Sequence, residues 1–388
     1  RDCLLSRGLG DVYKRQVYER HHYLYRWLKP MLAARKEFKK LGYKVKYQSI
    51  IDYFPVFSGG IQKKMEYASI RSACRGKHDI VMMAFHHSTS DLCTKISSEK
   101  RAEILKQIKA HCKTLVWLDT ADSTGTCMFD VMPYVDLYFK KQVLKNLDDY
   151  CRDIYGARTF CEYYHNLLGI EDETITKRYY PHTEKQYLHK LRVAWNVGIG
   201  DLYAVRPIQL ISHPFSVTKP VFLSPDRERT LDVQYRGSGY SPIAGYPRSR
   251  SKELMMEMKK ESNISISDIT KRIPKEEFIA EGQNSKCILS PFGWGEVCGR
   301  DFEAFVYGGC MIKQDMSHCV TYPDAYQPGI TYIPLKWDFS DFKDVLLRAE
   351  SPEYMEVAKK AQEYYKHFFT ECGRKDFAIH IVSELERK

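Results

Sequence analysis

Short apolar runs alternate with longer amphipathic segments along most of the chain. "HDIVMMAFHH" (78–87) is an apolar run ending in polar residues, and a helix is predicted over about 97–112. "TLVWLDTADSTG" (114–125) and "VDLYFKKQVL" (135–144) repeat the pattern. Short, nearly continuous apolar strands separated by helices indicate a parallel sheet covered on both faces. A second series begins at "LDVQYRGSGY" (231–240). It runs through a helix at 248–260, "NISIS" (263–267), a helix near 275–283, "KCILSPF" (286–292), a helix at 299–307, "CMIKQ" (310–314) and "TYIPL" (331–335). Two long helices at about 352–371 and 375–387 follow, with a break expected at Cys372-Gly373. Residues 150–230, rich in Tyr, His and Pro, show neither period and read as a connection between the series.

Ahead of the first series the pattern gives a helix at 17–40 and a strand at 43–50. An α/β domain normally opens on a strand, yet "RDCLLSRGLGDVYKRQ" (1–16) has neither helical nor strand periodicity. Those sixteen residues are expected to be an adaptor-derived scar standing where the opening strand belongs. The expected architecture is α/β, with two Rossmann-like domains facing across a cleft. The domains are assigned to 17–220 and 221–373, and a final helix, 374–388, crosses back to the first. In such sheets ligands sit beyond the carboxyl ends of the strands.

Length and composition agree with two domains. A chain of 388 residues, 44% hydrophobic, exceeds the roughly 250–300 residues at which a single core stops growing. No run approaches the roughly 18 apolar residues of a membrane span, and no signal-peptide pattern is visible, so a cytoplasmic location is expected. The twelve cysteines are scattered, with no C-x-x-C pair, which favours reduced thiols. The net charge of +11 is dispersed over segments such as 34–46, 104–114 and 247–260. Dispersed positive charge suits anionic small substrates, or peripheral contact with an anionic membrane face. It does not form the basic stripe interleaved with aromatics that marks a nucleic-acid binder, so no nucleic-acid partner is expected.

Candidate chemistry concentrates in "ILSPFGWGEVCGRDFEAFVYGGCMIKQ" (288–314), read as strand, glycine-rich loop, helix with a glycine stop, and strand. Gly293 and Gly295 permit close backbone approach, and free amides at a helix start attract phosphate. Arg300 and Glu303, three residues apart, share a helix face. There a guanidinium can fork onto phosphate oxygens and a carboxylate can accept from a ribose diol. The same acids, Glu296 and Glu303, also suit an ordinary βαβ surface. In the first series, His86 and His87 follow one strand, and Asp119 and Asp122 another. Asp122, then Asp119, then His86 are the candidates for a base that deprotonates an acceptor hydroxyl. The chain contains no Walker A motif, no H-E-x-x-H and no Asp-x-Asp. No metal site and no cofactor are expected.

"SPFGWGEVCGRDFEAFVYGGCMIKQDMSH" followed by "YPDAYQPGITYIPLKWDFSDF" resembles the carboxyl half of bacterial group 1 glycosyltransferases, which have the GT-B fold. The likeness is strong over about 285–345 and weaker over 110–240. It implies an enzyme of surface-polysaccharide or lipopolysaccharide assembly, and the absence of Asp-x-Asp leaves a metal-independent mechanism as the expectation. The partners would be a nucleotide-diphosphate sugar donor on the carboxyl half and a glycan or glycolipid acceptor on the amino half. By position, Glu303 resembles the ribose-binding glutamate and Glu296 the acid near the donor sugar, although six residues separate them where the family has seven. Arg236, Gly237 and Ser238 fall where the family has a phosphate-facing loop. A nucleotide-sugar epimerase, or a non-catalytic nucleotide or nucleic-acid binder, is the alternative reading.

Overall fold

The structure is a computed structural model that describes residues 26–46, 60–88, 90–172, 182–200, 202, 216–237, 239 and 241–387, without the side chains of 60–66. The chain forms two four-stranded, all-parallel sheets. The first contains β1 (His78–Ala84), β2 (Cys112–Asp119), β3 (Leu137–Lys140) and β5 (Leu191–Val193), in that order. The second runs β10 (Ile333–Leu335), β8 (Cys310–Gln314), β7 (Ser285–Leu289), β6 (Leu231–Gln234). Val116, Trp117, Leu118 and Asp119 of β2 pair with Leu137, Tyr138, Phe139 and Lys140 of β3, and all five residues of β8 are buried. Two-sided burial explains why these strands read as continuous apolar runs rather than alternating ones.

Helices cover the sheets where the sequence signals them. In α1 (Ser98–Lys109) the Ser97 hydroxyl caps the first turn by accepting from the Lys100 amide, and Ala102, Leu105 and Ile108 are buried. In α2 (Gly299–Tyr307) Cys298 and Asp301 form a reciprocal capping box, and Gly308 ends the helix at φ 71°.

Several expectations are corrected. The 150–230 connection contains a helix, α3 (Thr159–Leu168), and supplies β5 to the first sheet. At three residues, β5 is too short to show a period. "NISIS" contributes a single bridge, Ile266 to Val233, instead of a strand. The last two helices are α4 (Pro352–His367) and α5 (Glu371–Glu386). The break therefore lies at 368–370, where Thr370 caps α5 by accepting from the Gly373 amide, and Gly373 is inside the helix. Residues 43–46 of the expected early strand are irregular, and 47–50 and the opening-strand expectation lie outside the described residues.

The two halves are packed together rather than separated by an open gap along their whole junction. A short antiparallel pair joins β4 (Gln142–Leu144), which follows the first sheet's β3, to β9 (Cys319–Thr321), which follows the second sheet's β8. One buried apolar cluster contains Phe160, Tyr164 and Trp195 from the first half together with Phe292, Phe302 and Tyr365 from the second. Helix α5 packs on the first half: His380 Nε2 lies 2.9 Å from the carbonyls of Val193 and Ala194, and Arg192 donates to the Glu384 carbonyl.

Candidate active site

Loops from the carboxyl ends of β2 and β3 meet loops from the carboxyl ends of β7 and β8. This is where polar residues crowd, because a parallel sheet ends each strand on the same edge. Asp119, the last residue of β2, is almost fully buried and structural in its bonding. Its Oδ1 accepts from the Ala121 amide at 2.7 Å, and its Oδ2 from the Tyr138 hydroxyl at 2.5 Å and from Lys140 Nζ at 3.1 Å. Burial favours the neutral acid, but Lys140 and these hydrogen bonds outweigh it and hold the carboxyl below the usual range. Both oxygens of Asp119 are thus engaged by the protein.

Asp122 differs. Its side chain is 56% exposed and accepts from Lys141 Nζ at 3.0 Å, while the lysine itself is buried. Its partial burial pushes the carboxyl up; the ammonium outweighs this, and the carboxyl titrates at about 2. His86 and His87 lie close enough to favour its charged form. Burial lowers the His87 imidazole, against the pull of Asp119 and Asp122. Asp122 and His86 are therefore neighbours.

Glu296 comes from the other half and is fully buried. It accepts from the Thr124 amide at 3.0 Å, the Thr124 hydroxyl at 2.7 Å, the Ser123 hydroxyl at 3.4 Å and Gln142 Nε2 at 3.5 Å. Gln142 also donates to the Asp122 carbonyl. Gly295 fits because a Cβ there would stand 1.8 Å from the same carbonyl oxygen. Arg158 Nε donates to the Trp294 carbonyl at 2.7 Å, with its guanidinium 5.7 Å from the Trp294 ring centre. The 293–296 loop is thus pinned against the first half, and Glu296 binds protein where a sugar contact was expected.

A second group gathers at the end of β6. Arg300, in the first turn of α2, donates through Nη2 to the Arg236 carbonyl at 2.9 Å, while its Nη1 is buried without a partner. Glu303 lies one turn further and is half-buried; burial and this carboxylate raise the Tyr307 phenol. The Arg236 guanidinium is committed elsewhere. It forks onto Glu281 at 2.8 and 2.6 Å and donates to the Lys271 carbonyl, so it does not offer a free fork to phosphate. Gly237 follows it, Ser238 lies outside the described residues, and Gly293 packs on Arg248, whose Nη2 would be 2.1 Å from an added Cβ.

Lys141, Gln142, Thr124, Arg158 and Arg248 join these groups without having been singled out in sequence. Lys141 directly follows β3 and Gln142 opens β4, a division hidden in sequence because 135–144 reads as one run. Among the described residues no group of three or more His, Cys, Asp or Glu side chains is arranged to hold a metal ion. Among the same residues no helix is long and apolar enough to cross a membrane.

The chain is thus a mixed α/β protein whose two parallel sheets send their carboxyl-end loops to one junction. No family model matches it, and no curated protein matches it. Among solved structures it is similar to a glycosyltransferase from Rickettsia africae ESF-5, at 13% identity and a TM-score of 0.29, over 81% of this chain and all of that one. A likeness at that score carries no argument.

Proposed function

We propose that the chain is a glycosyltransferase that moves a sugar from a nucleotide-diphosphate donor to an acceptor hydroxyl, in the manner of the GT-B enzymes its carboxyl half resembles. The observation that carries this is the buried, unpartnered Nη1 of Arg300, one helical turn before Glu303; the Nη2 of the same arginine meets the Arg236 carbonyl just beyond the end of β6. A guanidinium donor left unsatisfied in the interior costs about 1–3 kcal/mol or more, and a phosphate oxygen would satisfy it. Glu303 then accepts from the ribose hydroxyls. On the first half Asp122, ionised above about pH 2, orients the acceptor hydroxyl. So depressed a carboxylate is a weak base, so the neighbouring His86 imidazole takes the proton. Asp119, Glu296 and Arg236 hold the scaffold, and surface-polysaccharide or lipopolysaccharide assembly is the setting the resemblance implies.

A thermal-shift screen with UDP, GDP, CMP and dTDP sugars tests the reading, because a ligand that binds only the folded state raises apparent stability. At least one sugar nucleotide is expected to raise Tm, and Arg300→Ala and Glu303→Ala to abolish the rise. No shift with any of them, or an undiminished shift in both variants, would overturn it.

A further inference from the structure

The last residue of β8 and the loop after it hold three more buried nitrogens without partners. Gln314 is fully buried; its Oε1 accepts from the Phe292 amide at 3.0 Å, and its Nε2 has no hydrogen-bond partner. Four residues on, both ring nitrogens of His318 are buried and neither meets a partner in hydrogen-bond geometry, although the Asp315 backbone lies near the ring. The His318 ring stands edge-on to Trp337, 4.8 Å between centres, and 6.1 Å from Phe292. Buried polar groups are nearly always hydrogen-bonded, so a cluster of three exceptions on one strand end calls for a missing partner.

The chemistry of the unused valences says what that partner is. Gln314 Nε2 offers two N–H donors. Burial holds the His318 imidazole below its ordinary value, with Lys313 acting the same way and with Glu296, the Asp315 carboxylate and the Asp315 backbone opposing. The ring is therefore neutral at physiological pH and offers one donor and one acceptor. An anion would satisfy the donors only, and would sit near the Glu296 and Asp315 carboxylates. A hydroxyl both donates and accepts, and adjacent hydroxyls on a ring can meet Gln314 and His318 together. Phe292 and Trp337 border the spot with apolar surface of the kind that sugar C–H faces pack against.

We propose that Gln314 and His318 form a hydroxyl-binding subsite for the sugar carried by the donor. This rests on the transferase reading and deepens it. None of the three nitrogens is accessible, so binding requires a bordering residue, Phe292 or Trp337, to move.

The test compares UDP-glucose, GDP-mannose and dTDP-glucose with UDP, GDP and dTDP by thermal shift and calorimetry, using wild type, His318→Phe and Gln314→Met. His318→Phe removes two unpartnered nitrogens and keeps the ring, so the ligand-free variant is expected to melt at or above the wild-type temperature. Both variants are expected to bind the bare diphosphates as wild type does, and to lose at least tenfold of the extra affinity contributed by the sugar. Gln314→Met strands the Phe292 amide, so its ligand shift is read against its own melting point. A lowered Tm for ligand-free His318→Phe, the mark of a structural water bridging the ring, overturns the proposal. So does an unchanged sugar contribution in both variants; diphosphate binding that still needs Arg300 and Glu303 would then leave the transferase reading standing. Failure of every nucleotide to bind the wild type overturns both.

Discussion

Replacing Glu296 by alanine tests whether this buried acid holds the two halves together. The carboxylate accepts two short hydrogen bonds from Thr124, at 2.7 and 3.0 Å, and two long ones from Ser123 and Gln142. Thr124 is itself fully buried, so truncation strands its amide and hydroxyl away from water. Each stranded donor costs about 1–3 kcal/mol, and the vacated volume adds to this, giving a loss of about 3–5 kcal/mol. Unfolding entropy of about 2.1 cal/mol/K per residue comes to about 0.8 kcal/mol/K for 388 residues, so Tm should fall by about 4–6 °C. Glu296→Gln keeps the shape but turns one acceptor into a donor facing Thr124, and should lose about half as much. In a double-mutant cycle with Thr124→Val, the coupling should be about 1.5–3 kcal/mol, the range for hydrogen bonds to a charged group. Calorimetry on the four proteins gives every term. A Glu296→Ala melt within 1 °C of wild type, or strict additivity in the cycle, would refute the seam role and return Glu296 to the ligand.

Two further outcomes follow from the same junction. Gly295→Ala sets a Cβ against the Asp122 carbonyl, backbone against backbone with no flexible atom to yield, and should cost about 1–3 kcal/mol in a denaturant titration; replacing Gly329, which has no atom within 4 Å of an added Cβ, changes only the local backbone strain of its positive φ. Because the folded-state pKa of Asp122 is depressed, its pairing with Lys141 contributes stability above about pH 4, lost as pH falls through about 2. For a side chain 56% exposed this is screened to about 1 kcal/mol, and melts from pH 5 to 2 should show Asp122→Asn lacking that part of the acid slope.

Much of the second sheet was legible from pattern alone. The helix at 299–307 and the strand at 310–314 lie where hydrophobic period, capping residues and the glycine stop put them. The first half was less legible because β5 is three residues long and is recruited by pairing with β3, a contact of about fifty residues' separation that no local signal encodes. Asp119 and Asp122 illustrate the same limit at the site. Both are acids at the end of one strand, yet one is closed in by Tyr138 and Lys140 and the other opens beside Lys141.

From the sequence by itself came the alternation of strands and helices, the parallel class and the edge of each sheet where polar residues gather, because periodicity and capping are local properties. Which of those polar residues carry ligand chemistry and which are spent on the protein was decided only in three dimensions. Glu296 reaches Thr124 across 172 positions, and Arg236 is claimed by Glu281 across 45. A side chain's free valences depend on the neighbours the fold brings to it, and spacing along the chain does not carry that information.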